Sequence, residues 1–152
     1  VSGVGALTKY RLCYLATPYS KYPGGIDLAF GCACDIAGFL IRHGVRVFSP
    51  ICHTHPIAVA CGMDPLDHTI WLSLDRPMID AADCLVVAMM AGWQESQGVN
   101  QEIIWFRCAG KPVFFLDLDA WSVSRLDPVE HPAPLVIGHH VDEALGGAHN
   151  DR

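Results

Sequence analysis

Residues Cys84-Leu85-Val86-Val87-Ala88-Met89-Met90 are apolar without a break. A strand with one wet face alternates apolar and polar side chains, so this run predicts a strand covered on both faces, at the centre of a parallel sheet. Parallel neighbours need crossover connections, and the flanking sequence offers them. Arg11 to Ala16 is a short apolar run, followed by the turn formers of Thr17 to Gly25. From Ile26 the apolar positions fall at Phe30, Ala33, Ala37, Leu40 and Ile41, a helical stripe that ends near Gly44. Val45 to Phe48 predicts a second strand, and Ser49 to Gly62, lacking a clean period, predicts an irregular segment. Asp64-Pro65 can open the next helix with Leu66, Ile70 and Leu74 on one face. Pro77 is expected to break that helix, with Asp75 capping a short new one that reaches Ala82.

After the central strand come a predicted loop over 91–97, a helix from about Gly98 to Ala109 and, beyond Gly110-Lys111-Pro112, a strand Val113 to Leu116. Past Asp117 the pattern weakens. Pro128, Pro132 and Pro134 fragment it, Leu135-Val136-Ile137 is a candidate short strand, and the closing GGAHNDR reads as loose. Strands alternating with helices predict an α/β fold: a doubly wound three-layer sandwich around a mainly parallel sheet of about four or five strands, of the Rossmann or flavodoxin-like kind. A length of 152 residues suits a single domain.

Composition narrows the function. Apolar residues make up 51% and charged residues 17%, which excludes disorder, and no apolar run reaches the length of a bilayer span. The first ten residues, VSGVGALTKY, lack the basic start and apolar core of a secretory signal, so a cytoplasmic location is expected. Seven cysteines are an odd number, mostly inside apolar segments, and read as reduced, buried thiols. A formal charge of −6 offers no basic field to a nucleic-acid polymer. Small molecules are the expected partners, with neither nucleic-acid polymer nor membrane among them.

In open parallel sheets ligands collect beyond the carboxyl ends of the strands. That rule selects the loops Thr17 to Gly25, Ser49 to Gly62 and Ala91 to Gln97. The last of these leads into the helix that carries Glu102, where the amides near Gly98 and the hydroxyl of Ser96 can receive an anion. Glu102 lies about one turn into that helix and can point back toward the cleft, or it can simply complement the helix dipole.

Three features stand out: Tyr14-Leu15-Ala16-Thr17-Pro18-Tyr19, the stretch Asp75 to Asp83 ahead of the apolar strand, and Ser96-x-Gly98-x-x-x-Glu102 running into Gly110-Lys111-Pro112-Val113. In this order they resemble the nucleoside 2-deoxyribosyltransferase superfamily, which includes deoxynucleoside 5'-monophosphate N-glycosidases and uncharacterised bacterial relatives. Together they span residues 11 to about 117, and the match is closest to the bacterial branch. The resemblance implies that Glu102 is a nucleophile attacking the anomeric carbon of the sugar, giving a covalent glycosyl ester that is hydrolysed or passed to a second base. Asp75 matches the acid that protonates the departing base or positions the sugar, and Tyr19 the first-loop aromatic that touches the sugar or orients the nucleophile. Ser96 matches the serine of the monophosphate hydrolases, where transferases on free nucleosides carry an acid, and this implies a nucleotide substrate. Thr17, Pro18, Ser20 and Gly98 belong to the implied substrate site. Two departures accompany these matches: the first loop offers Tyr19, Ser20 and Lys21 in place of the hydrolases' arginine, and Ile104 stands where the family has glycine. No cofactor or metal is implied, and relatives assemble as homo-oligomers.

Asp83 reads as structural at the start of the central strand, and Trp93 either walls the base or closes the core rim. His53 or His55 can reach a base or phosphate. Cys52, His53, His55, Cys61 and His68 invite a zinc reading but lack standard spacing. A non-catalytic nucleotide-binding module is the other alternative. Cys32 and Cys34 diverge on one helix, and His139-His140 reads as solvated tail.

Overall fold

The computed structural model describes residues 1–125. The candidate strand at 135–137, His139-His140 and the GGAHNDR end lie outside the described residues. Among the described residues a six-stranded, mostly parallel sheet and four α-helices make an α/β fold. In chain order the elements are β1 (Ser2–Gly3), a 3-10 turn (Val4–Leu7), β2 (Cys13–Ala16), α1 (Ile26–Arg42), β3 (Val47–Phe48), α2 (Pro50–Cys61), α3 (His68–Ala81), β4 (Cys84–Ala88), α4 (Gln97–Cys108), β5 (Val113–Asp117) and β6 (Ser122–Ser124). The sheet order is β1-β6-β5-β4-β2-β3; β3, β2, β4 and β5 run parallel, while β6 and β1 add antiparallel at one edge. Those two edge strands, of three residues and two, were not expected from the sequence.

All five residues of β4 are buried, as the unbroken apolar run requires. Alternate residues of the strands divide between two apolar clusters. Cys13, Leu15, Val86, Phe114 and Leu116 join Ile36 and Leu40 of α1. Tyr14, Leu85, Val87 and Phe115 join Ile79 of α3 and Ile103 and Phe106 of α4. Each fully buried aliphatic or aromatic side chain in these clusters contributes about 1.5–3 kcal/mol. No helix among the described residues is long and apolar enough to cross a membrane.

Three sequence expectations are corrected. Ser49 to Gly62 is a helix: Ser49 Oγ accepts from the Cys52 amide, Pro50 occupies the first turn, and Gly62 closes the helix at a φ of 62°. Its inward residues are Pro50, Thr54, His55 and Ala58, a helical stripe that two polar side chains disguise. The next helix begins at Asp67, whose carboxylate accepts from the amide and hydroxyl of Thr69, whereas Asp64 forms a turn with the Leu66 amide. Leu66, Ile70 and Leu74 are 42%, 41% and 42% exposed, and the buried residues of α3 are Trp71 and Ile79. Pro77 lies inside α3 without ending it, so Asp75 is a mid-helix residue and no cap. Lys111 Nζ donates to the carbonyls of Ile79 and Asp80 and ties the end of this helix to the chain before β5.

The cysteines also differ from expectation: Cys13 and Cys84 are buried, Cys61 and Cys108 exposed, and the other three half-buried, all as free thiols. Cys13 and Cys84 are register partners on β2 and β4, their sulfurs 3.4 Å apart. Asp83 is structural, accepting from the Arg11 and Leu12 amides and the Arg11 guanidinium where β2 and β4 begin.

Candidate active site

Strands β2 and β4 are neighbours, while the chain order places β3 and β5 on opposite sides of them. Loops leaving the carboxyl ends of two such strands diverge and open a crevice. A cavity of about 330 Å³ lies there, lined by Thr17, Tyr19 and Ser20 after β2, Pro50, Ile51 and Thr54 of α2, Trp71 and Asp75 of α3, and Ser96, Gly98 and Glu102 around the start of α4. Gly92, at φ 83°, holds the loop after β4 against the first loop; a β-carbon there would run into the Lys21 carbonyl.

Ser96 caps α4, its Oγ accepting from the Val99 amide at 3.4 Å. This start places Glu102 one and a half turns in, on the face toward β2. Tyr14 of β2 is fully buried between Phe48 and Phe106, and its hydroxyl donates to Glu102 Oε1 at 2.8 Å. Burial pushes the Glu102 carboxyl up to about 8; the Tyr14 hydrogen bond works in the opposite direction, and the nearby charge of Asp75 adds to the rise. Burial raises Asp75 to about 6. The Tyr14 phenol is pushed upward, first by burial and then by Glu102 and Asp75, so it remains a donor. Among the described residues two buried side-chain oxygens, Thr17 Oγ1 and Asp75 Oδ1, lack a hydrogen-bond partner, and both residues line the cavity.

Glu102, Asp75, Tyr19, Thr17, Ser20, Ser96 and Gly98 thus line one cavity. Tyr19 does not hold Glu102: its hydroxyl lies 2.6 Å from His55 Nδ1. Pro18 is buried and does not line the cavity. His53 is exposed, its ring 5.9 Å from that of Phe48, and does not line the cavity. Trp93 is buried against Phe115 and closes the core. Ile104 likewise does not line the cavity. The aromatic walls are Trp71 and Trp105 instead, the latter beneath the Arg76 guanidinium at 5.2 Å.

Sequence reasoning missed Tyr14, Trp71 and Trp105. Tyr14 was readable from strand alternation, since a tyrosine amid apolar residues on the α4 side of a central strand needs a hydroxyl partner. Among the described residues no group of three or more His, Cys, Asp or Glu is arranged to hold a metal ion. His55 instead stacks on Phe30 and meets Tyr19 and Asp27.

A comparison with curated proteins finds no match to this chain. A family model described as a domain of unknown function (DUF1937) matches residues 11–118, from the start of the sheet's parallel core through β5. The chain therefore belongs to the DUF1937 family.

Proposed function

We propose that this protein cleaves the N-glycosidic bond of a nucleoside through Glu102, in a doubly wound three-layer fold related to the nucleoside 2-deoxyribosyltransferases. The observation that carries the reading is the Tyr14 hydroxyl on Glu102 Oε1, with Asp75 in the same cavity wall. A carboxylate oxygen of Glu102 attacks the anomeric carbon, the bond from that carbon to the base nitrogen breaks, and its electron pair leaves with the base. Asp75 supplies the proton the base takes up. Water or a second base then attacks the same carbon and frees Glu102. Trp71 and Trp105 offer faces on which a base can stack.

No Lys or Arg lines the cavity among the described residues, while two carboxyl groups do; Ser96 Oγ accepts from the Val99 amide and keeps its O–H proton to donate. Among the lining side chains only His68 could offer a phosphate dianion a positive charge, against two carboxyl groups, so we favour a free nucleoside over a 5'-monophosphate. Ile70 and Leu74, exposed one turn apart on α3, give a homo-oligomer, expected from the resemblance, apolar surface to bury.

The test is incubation with deoxynucleosides and their 5'-monophosphates, with and without an acceptor base, followed by chromatography. Base release from nucleosides supports the reading; its absence across the panel refutes it. A binding module is the second reading: burial raises the Glu102 carboxyl to about 8 and so favours its protonated form, which is no nucleophile. Ligand binding without base release would identify that case.

A further inference from the structure

Tyr19 lines the cavity, whereas His55 does not. His55 is nonetheless tied to the cavity through the Tyr19 hydroxyl, 2.6 Å from its Nδ1. On the other edge of the ring, Nε2 lies 3.5 Å from Oδ1 of Asp27, in the first turn of α1. Phe30, also on α1, stacks on the imidazole with centroids 4.4 Å apart and planes at 17°. The His55 side chain is 7% exposed and that of Asp27 90%. One face of the ring is therefore clamped and both nitrogens are engaged.

A neutral imidazole carries one N–H, and its other nitrogen accepts. A carboxylate accepts only, so Asp27 beside Nε2 draws the N–H to that side and leaves Nδ1 bare. Tyr19 must then donate to Nδ1, and the lone pairs of its phenol oxygen are what it has left for a ligand. We propose that His55, set by Asp27 and Phe30, is a positioning residue that fixes Tyr19 as a hydrogen-bond acceptor toward the cavity, selecting a sugar that presents a hydroxyl proton there. This rests on the nucleoside reading above. An unrestrained tyrosine would donate or accept according to the ligand; the restrained one discriminates against a sugar without the hydroxyl, because the remaining acceptor would be desolvated and unpaired.

The test compares wild type, Tyr19→Phe, His55→Leu and His55→Asn on a deoxynucleoside and on its analogues lacking the 3' or the 5' hydroxyl. The wild type is expected to prefer the full sugar over one analogue by about tenfold in kcat/KM. Tyr19→Phe and His55→Leu should raise KM for the full sugar by about tenfold with a smaller change in kcat, and should flatten the preference. His55→Asn, whose amide oxygen can accept near the Nδ1 position, should restore part of it. Base release with undiminished preference in His55→Leu overturns this proposal alone; no base release by wild type overturns the glycosidic reading and this proposal with it. A readout free of turnover is the nitrogen NMR spectrum of His55. A proton on Nε2 and an Nδ1 signal that moves in Tyr19→Phe support the device, and a proton on Nδ1 overturns it.

Discussion

The Tyr14 hydroxyl donates to Glu102 Oε1 over 2.8 Å, joining the first parallel strand to the helix that follows its neighbour β4. The donor is buried in the core and cannot lose its proton, so the bond stabilises the ionised carboxylate that attack on a sugar requires.

Tyr14→Phe keeps the ring among Phe48 and Phe106 and removes that donor. The Glu102 carboxyl should then rise further, and kcat for base release should fall by about 10- to 100-fold, the effect of losing one hydrogen bond to a charged group. Steady-state kinetics beside a thermal melt checks this. Unchanged kcat in a folded variant would remove Tyr14 from the mechanism.

Burial raises both cavity carboxyl groups, Asp75 to about 6 and Glu102 to about 8. Cleavage needs one proton on the pair, placed on Asp75, with Glu102 ionised. Between those values the single proton rests mainly on Glu102, so the reacting arrangement, with the proton on Asp75, is a minor form whose share peaks in this window, and kcat/KM should follow a bell with limbs near those values. A profile flat across this range would exclude this pairing of acid and nucleophile.

Burial raises Glu102 from its ordinary 4.5 to about 8, so the folded protein binds this proton more tightly than the unfolded chain. Stability should therefore fall as pH rises from 4.5 through 8. Glu102→Gln, uncharged and of similar shape, should melt higher than wild type above pH 8, by an amount on the order of a few kcal/mol. The advantage should vanish near pH 4.5, and melting curves across that range read it directly. A variant less stable than wild type at every pH would contradict the burial.

Gly92→Ala combines a left-handed backbone with a collision at the Lys21 carbonyl. A loss of about 1–3 kcal/mol is expected in denaturant unfolding, together with weaker ligand binding, because two cavity loops are pushed apart. A neutral result would mean that the loops are not held together at this point.

Much of this architecture was legible where one physical signal dominated. The unbroken run at β4 announced a central strand, and the stripe from Ile26 announced α1, because burial on two faces or on one leaves a periodic trace. Helix α2 was hidden because its inward face carries Thr54 and His55, and α3 was expected as two helices because Pro77 lies inside a helix that tertiary packing sustains. Strands β1 and β6 are too short to have a period. At the site, Glu102 and Asp75 could be proposed from motif order, but Tyr14 was read only as part of the first strand's motif and Trp93 as either a wall of the base or the core rim. The outcome turns on which side of a strand or loop each faces, and that depends on elements distant in sequence.

The covalent step is tested most directly by the intact mass of the protein, quenched rapidly during turnover of a deoxynucleoside and then digested. We predict a fraction of the protein heavier by one deoxyribosyl group, carried on the peptide containing Glu102 and missing in Glu102→Gln. Base release without any such adduct, or with the Glu102→Gln protein as active as wild type, would contradict the assignment of Glu102 as the nucleophile.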